Sequence, residues 1–185
     1  MPVNLLSSTW SSHQFLPAAF TIAIACALVS LTPNLAGATT VLKLDDDDLV
    51  YLSFLVVEGR VTGVYSEWNS QHTQIQTVVT IAVVNVFTGA VAANDVLTLR
   101  MLGGRVDDTI MEDVGGPTFE TGEDVILFLG RDGSGLLTIT GLSQGKLSVV
   151  ADATTGMRVI AGRDVSRDAF VEGLRGRIAA QKAGR

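Results

Sequence analysis

Cysteine is missing from residues 39–185, since the only cysteine, Cys26, lies in the apolar N-terminal segment. Without thiols, this part of the chain forms no disulfide and offers neither a thiolate nucleophile nor cysteine ligands for zinc. His72 is its only histidine, and zinc does not favour a site built from carboxylates or amides alone. The sequence therefore predicts that the protein holds no structural metal and no cofactor.

Charged side chains are absent from residues 1–38. An apolar run over residues 15–31 is followed by Ala-Gly-Ala at residues 36–38, an A-x-A cleavage pattern. We interpret residues 1–38 as a removable signal peptide, although no Lys or Arg precedes the apolar run. The exported protein should then begin at or near Thr39, which N-terminal sequencing would check.

Two alternatives to the signal peptide fit the residues less well. A retained transmembrane anchor needs about 20 apolar residues, whereas Pro17, Thr21 and Ser30 interrupt this run. A lipoprotein would be modified at Cys26, but Ala23 stands where a large aliphatic residue is usual, and apolar sequence continues beyond the cysteine. We therefore expect no stable membrane insertion once the signal peptide is cleaved.

Basic residues are few. The chain has 13 Lys and Arg against 19 Asp and Glu, a net charge of −6, and all of these residues follow residue 38. Nucleic-acid binding depends on clustered Lys and Arg that neutralise phosphates, and anionic membrane surfaces attract the same residues. The composition therefore argues against a nucleic-acid partner and against binding to an anionic membrane surface.

What the chain does contain is a series of short β-branched segments separated by Gly-rich turns. The expected strands span residues 54–65, 75–87, 95–102, 125–129, 136–140, 146–151 and 157–160. Residues 105–114 are polar and acidic, and we expect an irregular edge there. In the first strand, Val57 and Val61 share one face while Glu58 and Arg60 share the other, which predicts a half-buried strand.

One helix is expected at each end of this β region. Residues 44–53 form a short helix in which four consecutive Asp residues occupy the N-terminal turn, where negative charge is favoured. Ser166 caps a C-terminal helix over residues 166–182, and its apolar stripe consists of Phe170, Val171, Leu174 and Ile178. The pattern predicts a mainly β (α+β) fold, a single OB-like closed β-barrel with two terminal helices, in one domain over residues 39–185.

The longest expected strand, residues 75–87, changes its alternation part-way. Ile81 and Val83 share one parity, after which Val84 and Val86 take the other. A slip of one residue in a period of two is what a β-bulge produces. We therefore expect Ile81 and Val86 to lie in the same core, in a strand curled to serve a closed barrel.

Several short motifs resemble those of a family of uncharacterised exported bacterial proteins. They are GRVTGVYSEW at residues 59–68, LRMLGG at 99–104, GGPTFETGE at 115–123 and GLSQGK at 141–146. The resemblance implies export and no established activity. More loosely, the strand order is similar to that of netrin-like and TIMP-like OB-fold modules, but those inhibitors chelate zinc through an N-terminal Cys that this chain lacks after residue 38.

The loop over residues 66–74 is the candidate partner-binding region, with Glu67, Trp68 and His72 as its candidate site residues. Trp68 either folds back to plug the end of the barrel or is an exposed anchor, because Trp is frequent at binding hot spots. A hydrolase would have to pair His72 with Ser66 or Ser70. The letters GLSQG at residues 141–145 fit the G-x-S-x-G spacing, but the segment is expected as a turn between two strands, whereas a nucleophile elbow joins a strand to a helix. We therefore predict no catalytic residues.

Two sets of acidic residues offer oxygen atoms that could bind calcium. They are Asp45, Asp46, Asp47 and Asp48, and then Asp107, Asp108, Glu112 and Asp113. Calcium loops alternate their ligands so that the oxygens converge, whereas four consecutive Asp residues on a helix point in different directions. We interpret the first set as a solvated helix N-terminus and the second as part of an exposed edge.

Two turn segments carry further polar residues. Gly122 and Glu123 are expected to form a turn in which Glu123 caps or pairs locally. Gln144 and Lys146 offer a weak anion-binding pattern, for which a turn is the simpler explanation.

The residues favour a secreted or periplasmic, non-enzymatic binding or accessory module for an extracellular protein or small ligand. One alternative is an inhibitor or partner of an extracellular protease. Another is a hydrolase that uses carboxylates alone, pairing Glu67 with Asp107 or Asp108 for acid and base work.

Overall fold

The computed structural model describes residues 42–113 and 115–184, which belong to one compact unit, Leu42–Arg185. The helices are α1 (Asp46–Leu52) and α2 (Arg167–Ala183), with a short 3-10 helix at Leu142–Gly145. The strands are β1 (Leu55–Trp68), β2 (Ile75–Thr88), β3 (Val96–Leu102), β4 (Gly104–Val106), β5 (Thr109–Met111), β6 (Asp124–Arg131), β7 (Leu137–Ile139), β8 (Lys146–Ala151) and β9 (Arg158–Ile160). The signal-peptide prediction falls on residues 1–38, outside the described residues.

Seven of the strands form one antiparallel sheet in the order β3-β2-β1-β6-β8-β9, and β7 pairs with β6 beside β8. The two 14-residue strands β1 and β2 pair along almost their whole length, from Val56 and Thr88 to Trp68 and Ile75. The prediction of a mainly β fold with two helices is therefore confirmed. Within the described residues, neither helix is long and apolar enough to cross a membrane.

The prediction of an OB-like closed barrel is wrong, because the sheet is open. Closure would require a ladder between β3 and β7, whose Cα atoms approach within 8 Å without pairing. A cavity of about 140 Å³ lies between them, lined by Met101 and Leu102 on one side and by Thr138 and Ile139 on the other. Pro117 also borders this gap, and β7 is only three residues long. Because β7 is short and the segment that contains Pro117 lies between β7 and β3, these two strands do not pair and the sheet stays open.

The inner core, as we name it, lies on the sheet face that carries Val57 and Ile81. Its buried members are Leu55, Val57, Val61, Val79, Ile81, Val83, Leu97, Leu99, Phe119, Val125, Leu127, Leu129 and Ile139. These residues come from strands β1, β2, β3, β6 and β7 and from one loop, with no helix contributing. The strands must therefore curl so that their own side chains cover one another, even though the sheet does not close.

The helix-covered core lies on the opposite face. Its buried members are Leu49, Val50, Val56, Ile126, Phe128, Leu147, Val149, Ile160, Phe170, Val171, Leu174 and Ile178. The four apolar residues predicted for the stripe of α2 are all buried here, and Ser166 caps that helix by accepting a hydrogen bond from the backbone N–H of Ala169. In α1, Asp45 and Asp48 form a reciprocal capping box.

The predicted bulge in β2 is confirmed. Glu58 of β1 pairs with Asn85 and Gly59 pairs with Val83, so Val84 is left without a partner. Val84 is 52% exposed, while Ile81 is fully buried and Val86 packs against the same inner core. Because Val84 is an extra residue in β2, Ile81 and Val86 both face the inner core although one is odd-numbered and the other even-numbered.

Two local expectations need correction. Residues 105–114 are not simply an irregular edge, because β4 and β5 form a small hairpin within that stretch. Glu58 does not face solvent on a half-buried strand. It is only 2% exposed, because the residues from Leu55 to Gly59 are buried on both faces of the sheet.

Candidate functional site

The loop between β1 and β2 is held in one conformation by Asn69. The Oδ1 atom of Asn69 accepts hydrogen bonds from the backbone N–H groups of Thr73 at 2.8 Å and Gln74 at 3.3 Å. Its Nδ2 atom donates to Oγ1 of Thr73 at 2.9 Å. Because strand pairing continues as far as Trp68 and Ile75, this one side chain organises most of the remaining loop.

The same loop places His72 beside Trp68. His72 has a φ of +53°, in the left-handed region, and its backbone N–H donates to the carbonyl oxygen of Asn69 at 2.9 Å. The imidazole and indole rings are stacked, with centroids 6.0 Å apart and planes at 11°. Trp68 belongs to neither core and is half-buried at the surface. The structure therefore favours an accessible Trp68 over one that plugs the interior.

Trp68 lines a surface cleft of about 930 Å³, which we call the Trp68 cleft. Its walls come from the β1–β2 loop, from β2 and β3, and from the turn between β6 and β7. The lining residues are Glu67, Trp68, Asn69, Ser70, Gln71, Gln74, Gln76, Arg100, Ser134 and Leu136. Four carboxamides, two hydroxyls and one aromatic ring therefore share this cleft.

The two charges of the Trp68 cleft are paired with each other. Nη1 of Arg100 donates to Oε1 of Glu67 at 2.5 Å, and both side chains remain partly exposed. Exposed ion pairs contribute little stability, typically below about 1 kcal/mol. The pair matters here because it leaves the lining with no net charge and with no free carboxylate.

The candidate residues for hydrolysis are not brought together. Oγ of Ser66 contacts Oγ1 of Thr77 at 3.2 Å and accepts from the backbone N–H of Arg105 at 3.3 Å. Within the described residues, no hydrogen bond joins the His72 side chain to Ser66 or Ser70. Neither Asp107 nor Asp108 lines the Trp68 cleft with Glu67. The geometry thus offers neither a Ser-His dyad nor a carboxylate pair in that cleft.

The turn residues of the sequence motifs have structural partners. Nζ of Lys146 contacts Oε1 of Glu123 at 2.6 Å and lies 4.8 Å from the ring centroid of Phe119. Ser148 donates to the same Oε1 at 2.5 Å. Burial raises the pKa of Glu123, but the hydrogen bonds from Lys146 and Ser148 outweigh burial and hold the pKa below its ordinary value. Lys146 is therefore already paired.

Gln144 also has a structural role. Its Oε1 atom accepts from the backbone N–H of Leu44 at 2.8 Å, and its Nε2 atom donates to the carbonyl oxygen of Leu42 at 2.9 Å. The side chain thus ties the segment before α1 to the 3-10 helix. The contact of Nε2 engages a donor that an anion site would need.

The acidic sets do not converge. Asp46 pairs with Arg163 at 2.7 Å and Asp47 with Arg177 at 3.1 Å, so the N-terminal turn of α1 is partly neutralised by neighbouring cations. Across residues 42–113 and 115–184, no group of three or more His, Cys, Asp or Glu side chains is placed to hold a metal ion. We still predict that excess EDTA leaves the melting temperature unchanged.

Two other cavities lie elsewhere on the described surface. One of about 560 Å³ lies between α1 and α2 and is lined by Tyr51, Arg177 and Gln181, among other residues. Another, of about 280 Å³, opens beside the inner core and is lined by Met101, Phe119 and Asp113, among others. Neither contains any of the candidate residues Glu67, Trp68 and His72.

Sequence reasoning missed four of the ten residues that line the Trp68 cleft. Gln76, Arg100, Ser134 and Leu136 come from three other parts of the chain, and only the strand register brings them beside Trp68. A partial signal was present in the alternation of β3, where Arg100 lies between the apolar residues Leu99 and Met101 and so faces away from the inner core.

No known protein family, curated protein or solved structure matches the chain. The resemblance to exported bacterial proteins and the looser similarity to netrin-like and TIMP-like modules therefore stay predictions.

Proposed function

We propose that the protein is an extracytoplasmic, non-enzymatic binding module and that the Trp68 cleft is its ligand site. The observation that carries this proposal is the combination of a half-buried indole at the surface with a loop whose backbone is hydrogen-bonded to the side chain of Asn69. A pre-organised site loses less conformational entropy when it binds, which leaves more of the contact energy for affinity. Tryptophan is also the residue type most often found at binding hot spots.

The chemistry of the lining supports binding over catalysis. Glu67 is the only carboxylate among the residues that line the cleft, and Arg100 occupies one of its oxygens. Acid and base catalysis by carboxylates alone needs two such groups on opposite sides of the reacting bond. Amide and hydroxyl groups, by contrast, orient a ligand without reacting with it.

The extracytoplasmic location rests on the sequence. The uncharged apolar segment and the A-x-A pattern at residues 36–38 support export. If the protein is secreted or periplasmic, the ligand is an extracellular component, either macromolecular or small.

The test compares three immobilised proteins against culture medium of the producing organism. Trp68→Ala removes the indole, and Tyr51→Ala is the matched control because Tyr51 is a 67% exposed aromatic residue outside the cleft. We expect a component that is retained by the wild-type protein and by Tyr51→Ala, is lost with Trp68→Ala, and is recovered chemically unchanged. Equal retention by Trp68→Ala, or conversion of the component into a product, would overturn the proposal.

A further inference from the structure

We propose that the Trp68 cleft binds a neutral oligosaccharide. This inference rests on the proposed function, since it names the ligand class of the same site. It depends on three properties of the lining: its charge balance, its hydrogen-bonding groups and its aromatic surface.

Charge balance selects against ionic ligands. Glu67 and Arg100 are the only charged residues that line the cleft, and they pair with each other at 2.5 Å. An anionic ligand would have to tolerate the carboxylate of Glu67 beside Arg100, and a cationic ligand would have to tolerate the guanidinium of Arg100 beside Glu67. A neutral ligand makes neither demand, so it is the class that the paired charges favour.

The hydrogen-bonding groups of the cleft match those of sugar hydroxyls. Gln71, Gln74 and Gln76 each present a carboxamide that both donates and accepts, and Ser70 presents a hydroxyl that does the same. The hydroxyl of Ser134 already donates to Oδ1 of Asp132 at 2.6 Å, so it can only accept. A sugar hydroxyl also donates and accepts, so each such group has a complementary partner. Asn69 is left out of this set because its side chain already holds the loop.

The apolar part of the cleft suits the C–H face of a sugar ring. Trp68 offers a flat indole surface, and Leu136 on the opposite turn is 54% exposed. A pyranose ring has an apolar face of C–H groups as well as polar edges, and aromatic side chains combine a large apolar surface with few polar atoms. The volume of about 930 Å³ lies in the upper part of the range of roughly 300–1,000 Å³ for ligand sites, which leaves room for several linked sugar units.

An extended peptide fits the cleft less well. Peptides that bind along a sheet use an unpaired strand edge. At this end of the sheet β1 is paired with β2 up to Trp68 and Ile75, and β2 is paired with β3 from Gln76 and Leu102. β2 is therefore paired on both sides here, and β3, the edge strand of the sheet, contributes only Arg100 to the cleft.

Isothermal titration of the purified protein tests the inference directly. The probes are cellohexaose, chitohexaose and maltohexaose, with hexagalacturonic acid as a charged hexamer and a tryptic digest of casein as a peptide mixture. We expect at least one neutral hexamer to bind and hexagalacturonic acid and the peptides not to bind. Trp68→Ala should weaken binding at least about tenfold, and Gln74→Ala with Gln76→Ala should weaken it by a similar factor.

Two matched variants control for general effects on the fold. Tyr51→Ala and Gln181→Ala change an aromatic residue and an amide that lie outside the cleft, and both should keep the affinity within about twofold of wild type. The inference would be overturned if none of the three neutral hexamers bound. It would also be overturned if a neutral hexamer bound with an affinity that Trp68→Ala did not change.

The remaining outcomes separate this inference from the proposed function. If the casein peptides or hexagalacturonic acid bind instead, and Trp68→Ala abolishes that binding, the cleft is a binding site but the oligosaccharide inference fails. If a probe binds equally well to wild type and to Trp68→Ala, both the inference and the proposed site fail.

Discussion

Glu58 on β1 and Arg167 at the start of α2 form an ion pair that links the sheet to the C-terminal helix. Nε of Arg167 donates to Oε1 of Glu58 at 2.9 Å, and Nη2 of Arg167 contacts Oε2. Asn85 donates to Oε2 at 2.7 Å, and Nη2 of Arg158 lies 3.5 Å from Oε1. The carboxylate is 2% exposed, so its charge is compensated almost entirely by these protein groups.

Arg167→Ala should therefore destabilise the protein. The substitution leaves the buried carboxylate of Glu58 without its main partner, and breaking a buried ion pair costs about 3–5 kcal/mol. Arg158 and Asn85 remain near Glu58, which favours the lower end of this range. Urea denaturation followed by circular dichroism measures the loss. Arg105→Ala, at an exposed Arg of the β4–β5 hairpin, should change stability by less than about 0.5 kcal/mol. Equal stability of both variants would contradict the structural role of the pair.

The same carboxylate should make stability depend on pH. Burial raises the pKa of Glu58, but the hydrogen bonds from Arg167 and Asn85 and the charges of Arg167 and Arg158 outweigh burial and hold the pKa below its ordinary value of 4.5. A pKa that is lower in the folded state gives stability that is present above pH 4.5 and is lost as the pH falls through the folded pKa.

Melting temperatures from pH 6 to pH 2.5 check this dependence. Glu58→Gln removes the titrating group, so its melting temperature should fall less between pH 5 and pH 3 than that of the wild type. Glu123, whose folded pKa is also lowered, leaves a residual slope in both proteins. If the two profiles were parallel, Glu58 would not contribute to acid destabilisation.

The local parts of the fold could be predicted from the sequence, and the non-local parts could not. Three features depend only on residues that are close together in the sequence, and each is present in the structure: the cap at Ser166, the apolar stripe of α2 and the parity slip at Val84. Whether the sheet closes depends on whether β3 pairs with β7, two strands some 35 residues apart. The residue pattern within either strand does not predict whether that pairing forms.

Glu58 shows the same limit for a single residue. Alternation in β1 places it on the face opposite Val57, which suggests solvent exposure. It is buried because α2 packs on that face and supplies Arg167, a residue 109 positions away in the chain. The Trp68 cleft shows the same limit. Its loop residues are contiguous in sequence and could be predicted, whereas Arg100 lies on β3 and Leu136 lies in the turn between β6 and β7.

The bulge in β2 predicts an unusual pattern of stability changes. Ile81→Ala should cost about 2–5 kcal/mol because the side chain is fully buried in the inner core. Val86→Ala should cost less, roughly 1–2 kcal/mol, because Val86 is only partly buried against that core. Val84→Ala should cost less than about 0.5 kcal/mol because the bulge directs this residue outward.

Urea denaturation of the three variants provides the comparison. Val84→Ala serves as the control. Thr80, which precedes the bulge on the outward face of β2, would serve less well, since Oγ1 of Thr80 accepts from Oγ1 of Thr62 at 3.0 Å and Thr80 is partly buried. A straight strand would place Val84 and Val86 on the same face, opposite Ile81, so neither Val84→Ala nor Val86→Ala would be costly, whereas the bulge makes Val86→Ala costly.

Gly59 should not tolerate even a methyl group. A Cβ atom there would lie 2.5 Å from Cγ2 of Ile81 and 2.8 Å from the carbonyl oxygen of Ala82. Overpacking of this kind costs about 1–3 kcal/mol, so Gly59→Ala should lower the free energy of unfolding by that amount. Gly133→Ala is the matched control, because nothing lies within 4 Å of the added Cβ. Similar stability of the two variants would mean that β1 and β2 do not approach as closely as described.

The most direct measurement of the proposed site is a nitrogen-15 NMR titration with cellohexaose, chitohexaose and maltohexaose. The indole N–H signal of Trp68, assigned with the variant Trp68→Phe, reports on the cleft, together with the side-chain amides of Gln74 and Gln76. We predict that these three signals shift together along one saturation curve and that the side-chain amide of Gln181, between α1 and α2, does not move. Two results would contradict the proposal that the Trp68 cleft binds a neutral oligosaccharide. One is a shift of the Gln181 signal while the Trp68 signal stays unchanged, and the other is no shift of the Trp68 signal with any of the three hexamers.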